Sequence, residues 1–269
     1  EYIKQVKKYI KKNKNYVFAE NIATIRNAKI ANKLSLCFHF QGSEMLGGKV
    51  SNVKVFYDLG IRHMLLAKDY RSKAADGCFE PANAGLSIYG KALIKEMNNV
   101  GMIVDLTHTG YKSSIEAIEL STKPVIFSHS NPNKLKKTNR NISNEQIKKC
   151  AKTDGLIGIV GFGHFLKNND ISPENFVNNI QYIADLVGPK HIGLGLDYVY
   201  YQKQFLRQVK SNKFGLPKEY LNNLDGFIYF QPEKILDVTN ILIRKNYSIK
   251  DIKGILGENF LRIAKKNWK

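Results

Sequence analysis

Apolar runs of five to eight residues alternate along this chain with longer amphipathic stretches, a pattern that predicts short strands separated by helices. The strand-like runs are Leu34–Gln41, Arg62–Ala67, Met102–His108, Val125–His129, Leu156–Val160 and Ile192–Leu196. Between them, Val50–Leu59 is amphipathic and Gly60 is placed to end it. Ser87 caps a helix running to Asn99, and a further helix covers 112–121. Ser143-Asn144-Glu145-Gln146 is a capping-box pattern opening a helix over 144–152, and Ser172-Pro173 opens another to Leu186. Residues 1–13 and 20–32 read as helices, 68–85 as a polar loop, 198–230 as aromatic and irregular, and 231–267 as two or three helices. No linker or repeat divides the chain, which predicts one domain. Strands alternating with helices give a parallel α/β sheet buried by helices. A closed (β/α)8 barrel has eight strands, two more than the six runs found here.

Charge changes this picture little. The net charge is +19, but the lysines are spread along the whole chain and often stand beside Asn, with no aromatic-interleaved basic motif, so no nucleic-acid partner is expected. No apolar run reaches membrane-spanning length, and no membrane association is expected. Three widely spaced cysteines, Cys37, Cys78 and Cys150, form neither a disulfide framework nor a CxxC site. A reducing, cytoplasmic bacterial setting is expected.

The chemistry gathers at strand ends. His108 and His129 close two successive strands of a βαβ unit, so they should sit at the same end of neighbouring parallel strands, within reach of one metal ion. The competing interpretation is a pair of hydrogen-bonded core histidines. Imidazole suits zinc, but a catalytic zinc takes three protein ligands and a water. Asp197 ends the run Gly193-Leu194-Gly195-Leu196-Asp197 and could act as a general base. Gln41 ends the first strand, where a neutral amide is a weak zinc ligand; His39 should pack in the barrel wall, and Glu44 lies near the same mouth. Lys68 is the cation nearest that rim, and Arg140 lies on the loop after the His129 strand, suited to bidentate capture of a carboxylate. His63, His164 and His191 receive no role.

Five segments in order carry a family likeness: Gly101–His108, Pro124–Ser130, Arg140-Asn141-Ile142, Gly193–Asp197 and Gly257–Ile263. Together they resemble the membrane-dipeptidase (renal dipeptidase) family of zinc peptidases, within the metal-dependent amidohydrolase superfamily. The resemblance implies a (β/α)8 TIM-type barrel, metal-dependent hydrolase-like and incomplete at its N-terminus. It also implies zinc, one or two ions, as cofactor and dipeptides as substrates. It assigns His108 and His129 to one metal, Asp197 to proton handling and Arg140 to the substrate carboxylate. Gln41 stands where the family has a glutamate bridging two zincs, and Lys68 where it has a substrate-contacting histidine. The family's opening His-x-Asp strand has no counterpart, and the first recognisable strand matches the family's third.

Two function classes follow. One is a zinc-dependent dipeptidase completed by a companion N-terminal segment or by a partner subunit in a homo-oligomer. The other is a catalytically inactive, truncated or split-gene remnant. A third, a basic binding protein, rests on net charge alone.

Overall fold

The computed structural model describes residues 1–211 and 215–269. Its short strands are all parallel, as strand–helix–strand connections require. Strands β1 (Tyr16–Phe18) and β2 (Leu34–Leu36) form a pair. Strands β3 (Phe38–Phe40), β4 (Ile61–Leu65), β5 (Ile103–Asp105), β6 (Ile126–Phe127), β7 (Leu156–Ile159) and β8 (Ile192–Leu194) form a six-stranded sheet in strictly sequential order. Sequential parallel order with an intervening helix is the winding of a TIM-type barrel. Here the barrel is open: among the described residues, β3 and β8 are each paired on one side only.

The run expected as one strand over Leu34–Gln41 is divided at Cys37. Its first half pairs with β1 and its second with β4, and the Cys37 thiol donates to the carbonyl of Ala19 instead of joining either ladder. The β1 strand was not foreseen; three residues between two helices are too few to show a period. The other strand positions hold, with ends one to three residues shorter than expected.

The capping box at Ser143 is present and opens a helix over Asn144–Lys152. The Ser87 and Ser172 side chains likewise accept a backbone N–H at their helix starts. Residues 198–230 are not wholly irregular: Gln202–Lys210 and Lys218–Leu221 are helical. No helix among the described residues is long and apolar enough to cross a membrane.

Met64, Val104, Phe127 and Ile157 from the strands pack against Leu93, Met97 and Ile147 from the helices in the main apolar core. A second cluster, including Val160, Phe162, Phe165, Tyr220, Phe227 and Tyr229, lies beyond the end of β7. It places an aromatic layer beside the C-terminal ends of the strands.

Candidate active site at the strand C-termini

The backbone leaves its strands just before each chemical side chain. His108 lies three residues beyond the end of β5, His129 two beyond β6 and Asp197 three beyond β8, so each follows its strand instead of closing it. His108 and Asp197 adopt left-handed backbone conformations, with φ of 63° and 54°, as does Asp69 after β4, with φ of 64°. Such conformations are uncommon outside glycine and cluster where local geometry serves a site.

The two histidine rings meet. His108 Nε2 and His129 Nε2 are 3.2 Å apart, in rings inclined at 66°. Each ring is tied at its other nitrogen, His108 Nδ1 to the Asp69 carboxylate at 2.7 Å and His129 Nδ1 to the Ser128 hydroxyl at 2.8 Å. With zinc–nitrogen bonds of about 2.0–2.1 Å, two ligands of a tetrahedral ion stand about 3.3 Å apart. The pair therefore fits two positions on one metal ion. No group of three or more His, Cys, Asp or Glu side chains among the described residues is arranged to hold a metal, so the ligand set of a binuclear centre is not present there.

Burial and charge favour the neutral form of both rings, the form in which imidazole binds metal. Burial lowers the His108 pKa, Arg140 adds to the effect, and Asp69 opposes it. The His129 pKa falls well below its ordinary value through burial, Arg140 and His108. Burial pushes the Asp69 carboxyl up, but the His108 hydrogen bond and the charges of Arg140 and Lys68 outweigh it, leaving Asp69 below the usual value.

Five of the six expected residues line two cavities, with one histidine of the pair in each. A groove of about 780 Å³ is lined by Gln41, His129 and Asp197 and also by His39 and His63. A second cavity of about 290 Å³ is lined by His108 and Arg140. Lys68 is exposed and lines neither cavity. Arg140 is buried; it donates to the carbonyl of His129 at 2.9 Å and lies over the Phe165 ring, while its Nε has no partner among the described residues.

His39 departs from expectation. It does not pack in the barrel wall but faces the groove, stacked on His63 with centroids 4.5 Å apart. Among the described residues β3 is an end strand, with no strand paired on its other edge. The surrounding protein still strips enough water from the ring to push its pKa down to about 4, with His63 contributing. His63 in turn contacts the fully buried Asp105 at 3.1 Å, and Asp105 also accepts N–H bonds from Thr107 and Ser128. Asp69, Asp105 and Ser128 were all missed by sequence reasoning. Asp105 and Ser128 stand within the quoted motifs, three and one residues respectively from an expected ligand, whereas Asp69 sits in a loop with no periodicity to draw attention to it.

The sequence profile of the membrane dipeptidase family (peptidase family M19) matches residues 1–211. Dipeptidase aclJ of Aspergillus oryzae is 27% identical over 236 residues, covering 86% of this chain and 51% of that protein. An uncharacterized dipeptidase of Schizosaccharomyces pombe is 28% identical over 266 residues, covering 94% and 58%. The chain thus spans about half the length of the curated relatives it matches. Among solved structures, an amidohydrolase from Pseudomonas aeruginosa superposes with a TM-score of 0.85 at 28% identity, over 99% of this chain and 83% of that one. A metallopeptidase from Rhodobacter sphaeroides, solved with a phosphinate mimic of the dipeptide L-Ala-D-Ala, shares the fold at TM-score 0.75 and 18% identity, over 94% and 69%.

Proposed function

The chain belongs to the membrane dipeptidase family, peptidase family M19, and from that premise we propose that it works as a zinc-dependent dipeptidase unit. The observation that carries this reading is the convergence of His108 Nε2 and His129 Nε2 at 3.2 Å, each ring anchored at its far nitrogen. These two nitrogens would hold the metal ion. A bound metal of this kind polarises the scissile carbonyl and makes water more acidic.

The chain's own residues supply the rest. Asp197, on the groove wall with His129, accepts the proton of the attacking water and returns it to the leaving amine. Arg140, on the wall of the second cavity beside His108, orients the substrate's terminal carboxylate. Lys68 is exposed and lies outside both cavities, so its contribution is longer-range positive charge, felt at Asp69. Gln41, an uncharged amide in the groove, hydrogen-bonds water there instead of bridging two metals. The remaining ligands come from a companion N-terminal segment, seated in the groove between β3 and β8, whose outer edges are unpaired among the described residues and so invite pairing.

The test is the zinc content of the purified chain, with His108→Ala as control, followed by hydrolysis of L-Ala-D-Ala once a companion segment is restored. About one equivalent of zinc, lost in the variant, supports the two-histidine centre. Turnover abolished by His108→Ala supports the enzyme. Negligible zinc refutes it and leaves the second reading, a scaffold without catalysis, which Gln41 and the missing third ligand among the described residues favour.

A further inference from the structure

The loop after β4 grips His108 twice. The Asp69 carboxylate meets the ring at Nδ1, 2.7 Å away, and the Cys78 N–H donates to the His108 carbonyl at 2.8 Å. The loop is built to hold that carboxylate in place. Asp69 is buried and takes a left-handed backbone conformation, and its own carbonyl accepts the N–H of Phe79 at 2.7 Å. Gly77 makes this fold possible, since a Cβ there would stand 2.4 Å from the carbonyl oxygens of Asp69 and Tyr70.

We propose that Asp69 is a positioning residue that orients the His108 ring toward the metal and lends negative charge to a centre whose own ligands are neutral. The proposal rests on the reading of His108 and His129 as metal ligands. With Nδ1–H donated to Asp69, the lone pair of His108 lies on Nε2, the atom that faces His129. A carboxylate behind a ligating imidazole fixes its tautomer and strengthens it as a donor. The two ligands are unequal in this respect, because the partner of His129 is the uncharged Ser128 hydroxyl. At Gln41 the groove also presents an amide in place of a charge. Asp69 therefore places an anion one hydrogen bond behind the metal position.

The experiment measures zinc affinity by chelator competition for the whole chain and for Asp69→Asn, Asp69→Ala and Ser128→Ala, with thermal unfolding of each metal-free protein. Asp69→Asn keeps an oxygen acceptor and removes the charge, so it should fold like the parent and bind zinc about 10-fold more weakly. Asp69→Ala should lose between about 10-fold and 100-fold. Ser128→Ala should lose less than either. Cobalt(II) bound to Asp69→Asn should show a shifted visible band, which a purely structural role would not produce. Equal zinc affinity for the parent and Asp69→Asn overturns this proposal alone. A parent chain that binds no zinc overturns the metal reading and this proposal with it.

Discussion

Gly195→Ala tests how tightly the fold and the histidine pair are joined. A methyl at Gly195 would stand 1.9 Å from the carbonyl oxygen of Ser128 and 3.0 Å from the Cα of His129. Carbon and carbonyl oxygen approach comfortably at about 3.3 Å, so one backbone must move by about 1.4 Å. If the Ser128–His129 segment yields, three bonds stretch: Ser128 N–H to Asp105 at 3.1 Å, His129 N–H to the Thr107 hydroxyl at 3.2 Å, and Ser130 N–H to the Gly158 carbonyl at 2.8 Å. If Gly195 yields instead, its own bond to the Ile159 carbonyl at 3.0 Å is lost. Forced overpacking costs about 1–3 kcal/mol, and each strained hydrogen bond adds about 1 kcal/mol. The expected loss is therefore about 2–4 kcal/mol if Gly195 yields and about 4–6 kcal/mol if the Ser128–His129 segment does, read by urea unfolding of the metal-free protein. If the Ser128–His129 segment is the part that moves, His129 Nε2 also separates from His108 Nε2, and under the proposed metal reading zinc affinity should fall at least about 10-fold. Gly193→Ala is the internal control. Its methyl would meet first the tip of the Leu156 side chain, at 3.1 Å, a contact relieved by a shift of a few tenths of an ångström, so a cost below about 1 kcal/mol is expected. Equal stability and equal zinc affinity for Gly195→Ala and the parent would refute the reasoning.

Two further outcomes follow from packing and charge. Phe127 is fully buried in the core between β6 and its covering helices; Phe127→Ala should destabilise by about 3–5 kcal/mol in denaturant unfolding, and a loss under about 1 kcal/mol would mean that this part of the core is not close-packed. Burial pushes the Asp154 carboxyl up, but Lys190, Lys266 and Arg262 outweigh it and hold it well below the usual carboxylate range. A lowered folded-state pKa contributes stability that is full above the unfolded value near about 4 and is lost as the pH falls through the folded value. Asp154→Asn should therefore cost about 1–2 kcal/mol at neutral pH, and the gap from the parent should shrink below about pH 4. A gap that stays constant on acidification would remove Asp154 as its source.

Much of the scaffold was legible because it repeats. Each of the six strand runs is apolar and short, and the stretches between them carry caps or a helical period, as Ser87, Ser143 and Ser172 show. His108, His129 and Asp197 were legible because they end such runs, which places them at one end of a parallel sheet. What escaped notice lacks a period. The β1 strand is three residues long, Asp69 sits in a loop, and the helices at 202–210 and 218–221 lie in an aromatic stretch that reads equally well as irregular. His39 was misplaced for a different reason. Its register on β3 points it inward, but whether an inward side chain is packed depends on the strand beside it, and β3 has none there among the described residues.

By itself, the order of apolar runs determined the parallel sheet, the sequential strand order and the end of the sheet where the chemistry collects, since these follow from side-chain period and chain connectivity. Only the tertiary structure decided that the two Nε2 atoms face each other at 3.2 Å, that Asp69 stands behind one of them and Ser128 behind the other, and that Lys68 lines neither cavity. Those facts depend on loop conformations and on contacts between residues such as Asp69 and His108, 39 positions apart. No local preference of the chain encodes such contacts.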